Sequence, residues 1–365
     1  MMIGRILGNH VHYFYLQCKE RQKASRKEKK SKTSAMNSLN STLSLNTTFV
    51  HPQFFFISGL NNMPHAKYYY VFLCFVFVVT VLGNSFVMFS IYIERSFHTP
   101  KYMAVFNLVV ADLGESTAFI PNFIAMFLFD SQYISFDACL ANMFFVFFFA
   151  SLQSFTLTVL AYDRLVAICL PLRYHAIITM QAMAVILTVV WAYDSVLLIL
   201  MVSLITRLSF CKSIVVKSHF CDHGPIYNLA CNDNYINHML AIINIVLLLY
   251  VPFILTVLSY VFIAGAVFKI ASWEGRFKAI KTCSAHLMLV ALYYLPIMGV
   301  YIAALTLNLP PNVRIMSTSF AKAITPMMNP IIYVLNTEEF KEFLKKLFKR
   351  KINNHNGKEN IKIKE

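Results

Sequence analysis

The chain has 365 residues, of which 58% are hydrophobic and 13% are charged. A soluble domain is nearer to half apolar and about a quarter charged, so this composition excludes an ordinary soluble protein and indicates a membrane protein. The net charge of +15 does not require a nucleic acid partner. Most of the basic residues fall where anionic membrane lipid would attract them.

The N-terminal segment, residues 1–35, contains the basic run "KERQKASRKEKKSK". An external tail would have to carry this run across the membrane, against the usual distribution of positive charge. We therefore expect residues 1–35 to derive from an upstream start, with Met36 as a second start; a real but disordered extension is the alternative. Residues 36–67 then form an external tail, with glycan acceptor sequons at Asn40 and Asn46.

Seven apolar windows follow, each long enough for a helix to cross a bilayer, which takes about 20 residues. Together, residues 68–335 predict an all-α bundle of seven transmembrane helices. The windows lie near residues 68–93, 102–127, 139–164, 182–205, 239–267, 280–306 and 314–335.

Lys and Arg in the short loops set the orientation of the bundle. The segments after the first, third, fifth and seventh windows are basic, whereas the first opposite loop has Asp130 and Asp137 and no basic residue. We expect an external N-terminus, a cytoplasmic C-terminus and a multi-pass protein of the plasma membrane. Residues 336–365 are predicted to be a cytoplasmic amphipathic helix and a basic tail.

Four of the eight cysteines fall on the predicted outer side. An oxidising compartment favours disulfides between them, but four cysteines allow three pairings, and their spacing does not choose among these. The four are Cys139, Cys211, Cys221 and Cys231.

The stretch "LTVLAYDRLVAICLPLRY" (157–174) places an acid and a base, Asp163 and Arg164, at the end of the third window. The pair could simply anchor the helix at the lipid headgroups. However, the stretch resembles the end of the third helix of olfactory receptors, a branch of the rhodopsin-like G-protein-coupled receptors. The resemblance covers roughly residues 46–350, and four further stretches carry it in the same order: "FHTPKYMAVFNLVVADL" (97–113), "LSY" (258–260), "KAIKTCSAH" (278–286) and "PMMNPIIY" (326–333).

The resemblance implies a receptor that binds a small odorant from the outer half and couples to a stimulatory heterotrimeric G protein, raising cAMP. Asp163 would hold Arg164 at rest, and Arg164 would turn toward Tyr260 and Tyr333 on activation. Two further residues, Asn329 and Pro330, would make the seventh helix deformable. The resemblance also implies a bridge between Cys139 and Cys221, which leaves Cys211 and Cys231 to pair. The resemblance leaves open whether the receptor forms homo- or hetero-oligomers.

Two sets of side chains are assigned by the same resemblance. A polar cluster at mid-membrane comprises Asn84, Asp112, Glu115 and Gln153, together with Asn329. It could hold a sodium ion or be a packing cluster; Gln153, where the family commonly has Glu, argues against sodium, and no other cofactor is expected. The apolar pocket would be lined by Phe147, Ala150, Ser151, Ser154, Asn244, Leu248, Tyr294, Ile297, Met298, Tyr301, Ser319 and Lys322.

Lys322 lies two helical turns before Asn329, so both are predicted to face the bundle. The resemblance implies that the second and seventh helices are neighbours, which places Glu115 and Lys322 at similar depth. An ion pair between them is our first hypothesis. The alternative is that Lys322 also binds an anionic odorant. His286 is interpreted as a structural histidine, because no metal ligand accompanies it at suitable spacing.

Other function classes fit the chain less well. No Ser-His-Asp order, phosphate loop or zinc spacing indicates an enzyme. A transporter or channel is the main rival, because Asp112, Glu115 and Lys322 are ionisable residues inside predicted spans; the chain shows no internal repeat of the kind transporters often have. A rhodopsin-like receptor outside the olfactory branch is the second rival.

Overall fold

The computed structural model describes residues 50–60, 63, 65–129, 132–211, 213–306 and 310–347. Seven long helices in these ranges coincide with the seven predicted windows, which confirms the fold class. Residues 1–35, both sequons and the basic tail beyond residue 347 lie outside the described residues. The helices are α1 (Ala66–Ile93), α2 (Pro100–Phe129), α3 (Phe136–Cys169), α4 (Met180–Ser203), α5 (Tyr235–Phe268), α6 (Trp273–Thr306) and α7 (Pro311–Asn336).

The first six helices are long and apolar enough to cross a membrane, judged by length and composition over the described residues. The seventh, α7, is less apolar because it carries Arg314 and Lys322 and has Pro326 and Pro330 in its interior. It packs against α1, α2 and α6. Its polar residues therefore meet other helices, as expected for polar groups at membrane depth.

Three helices extend at least four residues beyond one end of their predicted windows. α5 begins at Tyr235, α6 begins at Trp273, and α3 continues to Cys169. The windows were too short because hydropathy detects the apolar part of a helix, whereas its polar ends continue into the interface. As a result Asp163 and Arg164 lie within the last two turns of α3, at its cytoplasmic end, and the helix continues five residues beyond Arg164.

α5 contains a wider turn, of the π type, over Val246–Tyr250. It ends two residues before Pro252, which lacks an N–H and clashes with the carbonyl four residues earlier. A π-turn accommodates this local mismatch while the helix continues. The turn alters which side chains of α5 face the bundle below Asn244.

A small sheet covers the outer end of the bundle. β1 (Phe54–Ile57) lies between β2 (Tyr133–Ser135), to which it is antiparallel, and β3 (Val215–Val216), to which it is parallel. Two disulfides reinforce this region by joining Cys139 to Cys221 and Cys211 to Cys231. This is the pairing that the family resemblance implies. We call the loop between α4 and α5, together with the three strands, the lid.

Buried apolar side chains form one cluster beneath the lid and a second in the cytoplasmic half. The cytoplasmic cluster includes Phe340 and Phe343, which belong to a further helix over residues 338–347 that we call α8. The Phe340 ring of α8 stacks on Phe97 with 4.7 Å between centroids. Lys101 Nζ of α2 also lies 2.9 Å from Glu339 Oε1. These contacts hold α8 against the cytoplasmic end of α2.

Candidate functional site

The inner face of α3 lies at the centre of the predicted pocket. The Phe147 ring meets the Phe220 ring of the lid at a centroid distance of 5.9 Å. One turn further in, Ser151 Oγ donates to Asp194 Oδ1 of α4 at 2.7 Å. A further turn on, Ser154 Oγ lies 2.8 Å from Tyr294 Oη of α6. One stripe of α3 therefore contacts the lid, α4 and α6.

α5 and α6 form the side of the predicted pocket opposite α3. Asn244 and Leu248 of α5 are buried, and so is Tyr294 of α6. Ile297 and Met298 are partly buried and pack against the cytoplasmic apolar cluster. On α6, which runs toward the outer side, they follow Tyr294 by about one turn.

Of the remaining predicted pocket residues, two form hydrogen bonds to other helices and one has a side chain that the structure does not describe. The carbonyl of Ala150 accepts a hydrogen bond from Tyr293 Oη at 2.7 Å. Ser319 Oγ lies 2.6 Å from Tyr69 Oη, so it joins α7 to α1. The side chain of Tyr301 is outside the described residues.

A groove of about 470 Å³ runs along α6 and α7 beside Tyr69 of α1. Leu295 and Phe320 line it and are largely exposed on the outside of the helices. None of the predicted pocket residues line this groove. Its outward-facing apolar wall fits lipid contact better than a ligand that must bias the helix bundle.

Lys322 occupies the floor of the predicted pocket and is neutralised there. Its Nζ lies 2.8 Å from Glu115 Oε1 and 5.9 Å from the centre of the Phe220 ring. Gln153 Nε2 donates to the other Glu115 oxygen, also at 2.8 Å. A buried cation is stable only with a partner of this kind.

The mid-membrane polar residues form separate contacts. Asn329 Nδ2 donates to both Asp112 oxygens, at 3.0 and 2.9 Å. Asn84 instead donates to the Pro326 carbonyl at 2.8 Å. Asn84 thus joins α1 to α7 through that carbonyl, which is free to accept because Pro330, four residues later, lacks an N–H. One amide nitrogen thus donates to both oxygens of Asp112 and joins α7 to α2.

The cytoplasmic half contains the acid-base pair. Arg164 Nη2 lies 2.5 Å from Asp163 Oδ2, and Tyr174 Oη donates to Asp163 Oδ1 at 2.7 Å. Burial and the Asp163 carboxylate raise the pKa of the Tyr174 phenol, so it stays a donor. Asp163 is fully buried. Both of its oxygens therefore accept hydrogen bonds, which is what keeps a buried carboxylate stable.

A second set of hydrogen bonds, centred on His286, lies in the same cytoplasmic half of the bundle. Tyr260 Oη of α5 lies 2.6 Å from His286 Nδ1 of α6. His286 Nε2 lies 3.0 Å from the Leu157 carbonyl of α3 and must donate to it, so Nδ1 accepts from the tyrosine. His286 is thus a hydrogen-bonded link among three helices. Tyr333 Oη is buried without a hydrogen-bond partner among the described residues.

The lid carries two buried histidines. Burial lowers the pKa of His223 to about 4, and it lowers the pKa of His219 well below the ordinary value, with Lys322 and Arg314 adding to the effect. The His219 ring packs on Phe119 at 4.9 Å between centroids. Both histidines are therefore neutral at pH 7, and they pack as aromatic rings.

Sequence reasoning missed Asp194 among the ionisable residues inside spans. Its carboxylate is fully buried on α4, and Oδ2 has no hydrogen-bond partner among the described residues. The signal was present, because an Asp interrupts the apolar stretch "VVWAYDSVLL". Tyr174 was missed for another reason: its loop position gives no sequence cue that it reaches Asp163.

Comparison with known proteins identifies the chain. The olfactory receptor family model matches residues 73–351. Human olfactory receptor 1F1 is 35% identical over 297 residues, covering 81% of this chain and 95% of the relative. Olfactory receptor 1 of Rattus norvegicus and olfactory receptor 1E16 of Mus musculus are each 34% identical over 300 residues, covering 82% of this chain and 95% of each relative. These relatives are receptors rather than enzymes. The chain belongs to the olfactory receptor family and is a multi-pass protein of the plasma membrane.

Proposed function

We propose that the chain is an odorant receptor that binds a small, mainly apolar molecule beneath the lid and activates a stimulatory heterotrimeric G protein, raising cAMP. The ligand would lie among α3, α5 and α6. The main observation in support is the ion pair at the cytoplasmic end, where Arg164 Nη2 lies 2.5 Å from Asp163 Oδ2. A ligand favours signalling only by binding one helix arrangement better than the other.

Two features support this proposal over a transporter. The ionisable residues Glu115 and Lys322 neutralise each other, and Asp112 is hydrogen-bonded to Asn329. Paired charges of this kind hold helices together, whereas an ion pathway needs groups that exchange partners. The cytoplasmic hydrogen bonds of His286 instead join α3, α5 and α6, which would have to separate to admit a G protein.

The test is expression in cells that contain a stimulatory G protein, with a check of surface delivery followed by an odorant panel. A ligand-dependent rise in cAMP without current or solute uptake supports the proposal. Uptake or current in cells lacking the G protein, with no cAMP response in cells that contain it, contradicts it. The Arg164→Ala variant serves as the signalling-dead control.

A further inference from the structure

Asp194 differs from the other acidic residues of the bundle. Glu115 and Asp163 each lie against a cation, and Asp112 accepts two hydrogen bonds from Asn329. Asp194 accepts from the Ser151 hydroxyl alone, and its second oxygen is buried without a partner among the described residues. A buried carboxylate normally has a cation or several donors.

α5 brings further unpaired polar groups to the same region. Asn237 and Asn244 are seven residues apart and so lie on one face of the helix. Both amides are buried, and none of their polar atoms has a hydrogen-bond partner among the described residues. Asn244 lies nine residues from the outer start of α5 and Asp194 nine residues from the outer end of α4, which gives them similar depth.

α4 packs against this part of α5, and Ser151 lies on the α3 stripe that faces the lid. Buried polar groups without partners are few in native proteins, and each calls for an explanation; here the group that completes them is taken to be a ligand. Because Lys322 is already neutralised by Glu115, the charge that this region lacks is positive. The unpaired carboxylate therefore selects against acids and for cations.

We propose that the odorant is a small protonated amine whose ammonium group binds Asp194. This inference rests on the proposed function and names its ligand class. Ser151 holds the carboxylate through Oδ1, which leaves Oδ2 for the ammonium, and Asn244 offers an amide oxygen at the same depth. The hydrocarbon part of the amine would lie against Phe147 and Tyr294, as in a mostly apolar pocket with few polar groups.

The test uses the full-length receptor and a series of linear and cyclic aliphatic monoamines, each paired with the alcohol of the same carbon skeleton. Surface expression and cAMP are measured for the wild type, Asp194→Asn and Ser151→Ala. Asp137→Asn is the matched control, because Asp137 is an exposed carboxylate at the outer end of α3. As a readout independent of the variants, the thermal unfolding temperature of purified wild-type receptor is compared with amine and with alcohol.

We expect amines to be the more potent member of each pair and to raise the unfolding temperature of the wild type. Asp194→Asn should weaken amine responses about 10- to 100-fold, the usual range for loss of one charged hydrogen bond. Alcohol responses and the Asp137→Asn control should not change. Ser151→Ala should weaken amine responses to a smaller degree.

Two results overturn the inference while leaving the proposed function intact. One is a wild type that answers alcohols but no amine; the other is an Asp194→Asn variant at the surface with unchanged amine potency. A receptor that reaches the surface, answers no volatile compound and is not stabilised by any of them contradicts the proposed function as well. If Asp194→Asn fails to reach the surface, wild-type stabilisation by alcohols but not amines still overturns the inference.

Discussion

Lys322 and Glu115 form an ion pair inside the helix bundle, with 2.8 Å between Nζ and Oε1 and side-chain exposures of 11% and 3%. Gln153 donates to the second oxygen of the same carboxylate. α2, α3 and α7 thus meet at one charge-neutral contact. Because the lysine is already paired, this geometry favours the structural role over the binding of acidic odorants.

The first prediction concerns removal of this pair. Glu115→Gln and Lys322→Met should each reduce surface expression, since each leaves a buried charge unpaired at a cost of about 3–5 kcal/mol. The double variant should recover expression and answer the same ligands as the wild type. Flow cytometry of an extracellular tag and an odorant panel measure both effects.

Selective loss of responses to acids in a well-expressed Lys322→Met variant would instead support ligand binding by Lys322. Normal expression with unchanged ligand preference in both single variants would contradict either role.

The helix bundle could be predicted from one-dimensional patterns, and its internal ion pair from such patterns together with the family resemblance, which places the second and seventh helices side by side. Apolar length predicts a span, and spacings of three and seven residues placed Glu115 and Lys322 on faces directed into the bundle. Contacts that depend on helix rotation were not accessible. The bond between Ser151 and Asp194 and the bond between Ser319 and Tyr69 are of this kind.

The lid was also beyond sequence reasoning. β1 has four residues and β3 has two, which is too short for a period-two pattern to appear. Their pairing depends on where the neighbouring helices bring the loops. Asn84 illustrates the same limit, since its partner is a backbone carbonyl that becomes free through a local distortion.

The second prediction concerns the contact between Tyr174 and Asp163. Tyr174→Phe removes one hydrogen bond to a buried carboxylate, worth about 1.5 kcal/mol, and should raise ligand-independent cAMP by up to about tenfold. Tyr162→Phe is the matched control, because Tyr162 precedes Asp163 and is exposed on the outside of α3. Arg164→Ala should abolish signalling while leaving ligand-induced thermal stabilisation.

An unchanged basal signal in Tyr174→Phe at equal surface expression would show that this bond does not hold the resting arrangement. A full cAMP response in Arg164→Ala would remove Arg164 from the proposed mechanism.

The third prediction concerns close packing of α2 on α3. A Cβ atom on Gly114 would lie 2.5 Å from the Phe149 ring, so Gly114→Ala should lower stability by about 1–3 kcal/mol through overpacking. Gly265→Ala is the control, because nothing lies within 4 Å of a Cβ built there. Thermal unfolding in detergent should separate the two variants.

Adding Phe149→Leu to Gly114→Ala should restore part of the lost stability, since the smaller side chain makes room. Equal unfolding temperatures for Gly114→Ala and Gly265→Ala would contradict the packing argument.

The fourth prediction concerns the pH dependence of the lid. The folded-state pKa of His223 is about 4, below its ordinary value of 6.5, so the unfolded lid binds more protons between these values. The contribution of His223 is therefore complete above about pH 6.5 and is lost, by on the order of 2–3 kcal/mol, as the pH falls toward 4. Buried His219 acts in the same direction, whereas Asp222, whose pKa burial raises, acts in the opposite one. His223→Gln leaves His219 and Asp222 in place and should reduce the loss of lid stability at acidic pH. Hydrogen exchange of residues 213–230 at neutral and mildly acidic pH measures this loss. Identical pH profiles for wild type and variant would exclude His223 as the cause.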